Sequence, residues 1–143
     1  KNDKNVSEHY RKGLLIVRFN SKGNFIWAEP LLLEQLELYE KKVNSWISSI
    51  PFSFNNQLNI IYNSVNYKAK KSAEKTGNTI FNIHWIKFDK NGIQTKIPTS
   101  KLNEFKGQEM GLMPKFVAQN ENEIILLMQN ENKNKFRLIK LNL

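Results

Sequence analysis

Apolar and polar residues follow one another along this chain in short runs, punctuated by Asn, Asp and Gly, and the runs recur. Gly13-Leu14-Leu15-Ile16-Val17-Arg18-Phe19 passes through Asn20-Ser21-Lys22-Gly23 into Phe25-Ile26-Trp27, which predicts strand, tight turn, strand. Ile83-His84-Trp85-Ile86-Lys87-Phe88 leads through Asp89-Lys90-Asn91-Gly92 into Ile93 to Ile97, the same design at an offset of 69 residues. Both turns place Asn or Asp first and Gly fourth, the preference of a type I turn whose last residue takes positive φ. A third copy, Phe136-Arg137-Leu138-Ile139-Lys140-Leu141-Asn142, sets Lys140 against Lys87 and Arg18 and stops where the turn would begin.

In all three copies both strand faces are largely apolar. Leu15, Val17 and Phe19 match His84, Ile86 and Phe88, then Arg137, Ile139 and Leu141, while Ile16, Trp85 and Leu138 occupy the opposite face. A sheet with one wet face alternates apolar with polar, so these strands belong inside a stack with sheets on either side.

A second element precedes the later copies. Pro51 to Asn63 and Pro114 to Asn130 each read as a short strand, an Asn-rich turn and a strong strand. The unit is then four strands: 52–54, 58–62, 82–88 and 93–97. The expected fold is all-β, with tandem four-stranded antiparallel meanders in a β-propeller-like partial ring. Residues 1–12 are a flexible lead-in; 13–30 form a partial blade, 51–98 a full blade and 114–143 a second partial blade. Pro30 and Pro98 follow the fourth strands, as suits an outer edge. Leu32, Leu36, Tyr39, Val43 and Trp46 stand at helical spacing, with Glu37 four residues before Lys41, which predicts one short helix at about 31–46.

The strand count, two then four then three, implies that strands completing the outer blades lie upstream or on another chain. The apolar end 136–143 is expected to pair with something. Lys1 is not preceded by a methionine and opens no apolar secretory run, consistent with a mature or excised product.

The 143 residues hold 16 aromatics (nine Phe, four Tyr, three Trp) and 40% hydrophobic residues, enough for a folded core. A mean hydropathy of −0.55, without a long uncharged apolar run, predicts no transmembrane segment. Having no cysteine, the chain has neither disulfides nor thiolate chemistry. The net charge of +9 comes from 22 basic against 13 acidic residues, but only Arg11, Arg18 and Arg137 are arginines. Scattered lysine lacks the bidentate fork of sequence-specific nucleic-acid readers, so no specific nucleic-acid partner is expected. Lys68, Lys70, Lys71 and Lys75 form the densest basic stretch and are the candidate polyanion contact.

Catalytic candidates are few. His84 sits on a strand face equivalent to Leu15 and reads as structural. Asp89 begins a turn, where its carboxylate accepts backbone N–H groups. Glu34, Glu37, Glu40, Glu104 and Glu109 are the acids a glycoside hydrolase would have to pair, and solvated faces account for them. Trp27, Trp46 and Trp85 would suit sugar stacking if exposed, but their apolar strand settings point to core. No catalytic, cofactor or metal residues are assigned.

The stretches Ile86 to Gly92, Pro114 to Val117, Glu123 to Leu127 and Lys135 to Leu141 look like the C-terminal part of a group of uncharacterised bacterial envelope proteins with propeller-like repeats. The likeness runs from about Gly13 onward and departs at the segment 31–46. It implies a non-enzymatic repeat protein of the bacterial cell envelope, periplasmic or at the cell surface. The leading expectation is a non-catalytic protein-interaction or scaffold module, partnered by another protein or by the remainder of a larger propeller chain. The alternative is a surface binder of glycans or other polyanions through Lys68 to Lys75 and exposed aromatics, and a hydrolase comes third.

Overall fold

The computed structural model describes residues 7–39, 49–65, 81–98, 110–130 and 135–142. These form nine strands: β1 (Ser7–Phe19), β2 (Phe25–Tyr39), β3 (Ser49–Phe54), β4 (Gln57–Val65), β5 (Phe81–Phe88), β6 (Gln94–Lys96), β7 (Met110–Gln119), β8 (Glu123–Asn130) and β9 (Phe136–Asn142). They make three antiparallel sheets, the hairpin β1-β2 and the meanders β3-β4-β5-β6 and β7-β8-β9. The two-four-three grouping read from the sequence is therefore present. No described sheet closes on itself: β9 is laddered to β8 along one edge, and β1 to β2 along one edge.

The turns show how local sequence sets this topology. Gly23 N–H donates to the Asn20 carbonyl at 3.0 Å and Gly92 N–H to the Asp89 carbonyl at 3.2 Å. Asn20 Oδ1 accepts from Lys22 and Asn24 N–H, as Asp89 Oδ1 accepts from Asn91 and Ile93 N–H. Gly23 and Gly92 have φ of 82° and 84°. The Asn55-Asn56 pair joins β3 to β4 with both residues at positive φ, 48° and 58°, the two-residue hairpin for which Asn is suited.

The second sheet is the middle layer. Ile50, Phe52, Ile61 and Trp85 pack against Leu126 and Ile139 of the third sheet, while Ile60, Tyr62, Ile86 and Phe88 pack against Leu31 and Leu33 of the first. Period-2 alternation sends neighbouring residues of one strand into different cores. This is the two-faced burial expected from strands without a polar face.

Three expectations are corrected. The helix at about 31–46 is absent over 31–39, where β2 continues as strand; 40–46 lie outside the described residues. Leu31 and Leu33 are 2% and 0% exposed while Leu32 is 77% exposed, an alternation of period 2. The cause is pairing: β1 reaches back to Ser7, and its ladder to β2 runs from Phe19↔Phe25 to Ser7↔Tyr39. Backbone hydrogen bonds along that ladder outweigh the helical spacing of a leucine-rich stretch. For the same reason, residues 7–12 of the expected flexible lead-in are paired strand. Pro30 lies inside β2, opposite Leu15, instead of following the strand; β2 is an edge strand, where its missing N–H is tolerated.

Comparing Gly23 with Gly92 separates backbone strain from contact. A Cβ at Gly23 meets nothing within 4 Å, so Gly23→Ala is expected to cost about 1 kcal/mol for its positive φ alone. A Cβ at Gly92 falls 3.0 Å from Trp27 Cδ2. Trp27 is held by a 3.0 Å hydrogen bond from Nε1 to the Lys90 carbonyl and by stacking on Phe88. Gly92→Ala is therefore expected to cost about 2 to 3 kcal/mol in urea unfolding; equal losses at the two sites would show that Trp27 yields.

Candidate interaction faces

Among the described residues, two sheet faces carry exposed apolar side chains once the layers are stacked. On the first sheet, the side turned away from the middle layer carries Leu15, Val17, Phe19 and Leu32; Leu15 is 69% and Phe19 56% exposed. Phe19 meets Phe25 edge to face, with ring centroids 6.3 Å apart. On the third sheet, the outward side carries Ile125, Phe136 and Leu138, with Phe136 61% and Leu138 72% exposed. Isolated exposed apolar residues are ordinary, whereas rows of them on one strand face are the feature on which an interaction surface is argued.

Polar clamps fix the layers and thus aim these surfaces. Arg18 Nη1 and Trp27 Nε1 of the first sheet both donate to the Lys90 carbonyl of the second, at 2.8 and 3.0 Å. Asn63 Nδ2 donates to the Leu112 carbonyl at 3.1 Å, and Leu112 N–H donates to Asn63 Oδ1 at 3.0 Å. Gln119 Nε2 adds a 2.8 Å bond to the Ser53 carbonyl. Sequence reasoning missed Asn63; the one signal was an amide two residues beyond Ile61 on the same strand face, and β4 carries a second such amide, Asn59, so it did not single Asn63 out.

A cleft of about 340 Å³ opens where the first two sheets meet, lined in part by Arg18, Trp27, Asn56, Leu58 and Asp89. Three of its polar side chains serve the chain itself: Arg18 and Trp27 donate to the Lys90 carbonyl, and the Asp89 carboxylate accepts the two turn N–H groups as the sequence indicated. His84 Nε2 lies 2.6 Å from Ser64 Oγ and its ring stacks on Tyr62, centroids 5.0 Å apart. Ser64 is only 9% exposed, so this pair is set into the face turned toward the first sheet.

The other sequence candidates fall as follows. Lys68, Lys70, Lys71 and Lys75 lie outside the described residues, as do Glu40, Trp46, Glu104 and Glu109. Glu34 and Glu37 are on β2. Trp85 is core, as its apolar setting indicated, whereas Trp27 is only half-buried and lines the cleft. Among the described residues, no group of three or more His, Asp or Glu side chains is placed to hold a metal ion, and no helix is long and apolar enough to cross a membrane.

One ion pair borders the outward face of the third sheet. Lys140 Nζ lies 2.5 Å from Glu123 Oε1. The hydrogen bond from Lys140, helped by Asn120, holds the Glu123 carboxyl below the usual glutamate range. A carboxyl depressed in the folded chain stabilises it above the ordinary glutamate pKa, and that contribution is lost as pH falls through the lowered folded value. An NMR titration is expected to place Glu123 below a free glutamate and to move it back upward in Lys140→Met; an unchanged midpoint in that variant would remove Lys140 as the cause.

Comparison with family models, curated proteins and solved structures returns no match for this chain.

Proposed function

We propose that this chain is a non-catalytic protein-interaction or scaffold module of β-propeller-like build, docking protein through the exposed faces of its first and third sheets and the β1 and β9 edges. The observation that carries this reading is a contrast between matched positions. Val17 and Phe19 are 40% and 56% exposed, whereas Ile86 and Phe88, 69 positions on, are covered by the first sheet. Leu138 is 72% exposed, whereas Trp85, its match in the middle sheet, is covered by the third. Covering a Leu or Phe contributes about 1.5 to 3 kcal/mol, so a partner on either face gains what the middle sheet already has. β1 and β9 each add an edge at which a strand can pair. The bacterial envelope as setting rests on the resemblance of the strand motifs, and cell fractionation tests it.

The functional reading is tested by capture from native membranes with wild-type chain and with Leu15→Glu and Leu138→Glu. Both substitutions sit on exposed side chains, so the urea midpoint should move little. One defined protein, held in stoichiometric amount by the wild type and lost by a face variant, is the expected result. Equal capture by all three chains would overturn the assignment of these faces.

A further inference from the structure

We propose that the partner of these faces is a second copy of this chain, docked head to tail so that the third sheet of one copy packs on the first sheet of the next. This deepens the interaction reading above and rests on it. Its basis is that both internal junctions obey one rule. The middle sheet turns the face bearing Ile83 and Trp85 toward the sheet that follows it, and the face bearing Ile86 and Phe88 toward the sheet that precedes it. In the third sheet the matches of Ile86 and Phe88 are Ile139 and Leu141, buried toward the middle layer, and the matches of Ile83 and Trp85 are Phe136 and Leu138, which face outward. In the first sheet the matches of Ile83 and Trp85 are Leu14 and Ile16, packed toward the middle layer, and the matches of Ile86 and Phe88 are Val17 and Phe19, which face outward.

One end of the stack thus offers the face that elsewhere receives a following sheet, and the other end offers the face that elsewhere receives a preceding one. They are the two halves of a junction the chain already makes twice. Two different faces meeting give a heterologous contact, which extends to a third copy or closes into a ring. Three strands, with β9 seven residues long, present a face of roughly 23 by 14 Å. That is well below the roughly 800 Å² per partner of stable complexes, so a single junction is weak. Each copy carries +9, so added salt strengthens the contact by screening repulsion.

The chain has no cysteine, which gives a clean background for cross-linking. Leu15→Cys and Leu138→Cys are prepared as separate chains and treated with a thiol-reactive linker spanning about 10 Å, the spacing of packed sheets. The expected result is covalent dimer in the equimolar mixture, about 10-fold above either variant alone, since only the mixture sets one altered face against the other. Leu15→Glu and Leu138→Glu each lose self-association, and mixing them restores one dimeric junction, because each retains the face the other lacks. Equal cross-linking by either cysteine variant alone would overturn the head-to-tail contact. So would absence of dimer in the mixture at about 0.5 mM, a concentration chosen for a weak junction. In that case face-dependent capture from membranes leaves the interaction reading standing with a different protein as partner, whereas loss of both results removes both.

Discussion

Trp85→Ala is expected to destabilise the chain by about 4 kcal/mol, measured as a fall in the urea midpoint at unchanged slope. Trp85 is 7% exposed, packs on Phe52 with centroids 6.1 Å apart, and donates from Nε1 to Asn59 Oδ1 at 2.9 Å. Alanine empties a large volume between the second and third sheets. It also removes the indole partner of an amide that is 2% exposed, adding roughly 1 to 3 kcal/mol if that amide finds no other donor. Leu138→Ala, at the matched position of the third sheet, is expected to cost less than about 0.5 kcal/mol because its side chain is already in water. Equal losses at the two positions would mean that the outward face of the third sheet is covered.

Asn63→Ala is the second large effect, at about 3 kcal/mol. The Asn63 amide pairs with both backbone groups of Leu112, donating to its carbonyl and accepting from its N–H, as a neighbouring strand would. Removing it leaves a buried donor and a buried acceptor on β7, each costing roughly 1 to 3 kcal/mol. Asn63→Leu keeps most of the volume but not the pairing, so it should lose nearly as much as alanine. Asn63→Asp still accepts from the Leu112 N–H but places a carboxylate against the Leu112 carbonyl. It is expected to be no better than leucine at pH 7, recovering as acid protonates the carboxyl. Full stability in the leucine variant would show that water replaces the amide.

The hairpins were legible because their signal is local. Asn20 to Gly23 and Asp89 to Gly92 carry the capping side chain and the positive-φ residue within four positions, and the structure forms the same bonds at both. The layered arrangement was legible because Ile60 and Ile61, or Trp85 and Ile86, are adjacent and both large, which requires two cores. The 31–46 segment was misread since Leu31-Leu32-Leu33 satisfies either period. What decides it, the ladder to Ser7 through Arg11, comes from a polar stretch with no strand pattern of its own. The Asn63 to Leu112 clamp joins positions 49 apart with nothing nearby to announce it. The candidate faces were half legible. Residue type shows that Val17 and Ile86 each belong in a core, and only the stacking order shows that Ile86 has one while Val17 does not.

Thiol reactivity at this one matched pair probes the open-ended stack most directly. Val17→Cys and Ile86→Cys are made separately and labelled with a maleimide at a concentration too low for copies to associate. Val17 should react within about 10-fold of an unfolded peptide, and Ile86 roughly a thousandfold more slowly, since its label must await opening of the first two sheets. Equal protection at both positions would mean that the first sheet's outer face is already covered within one chain, and equal rapid labelling that the layers do not stack; either result contradicts the structure described.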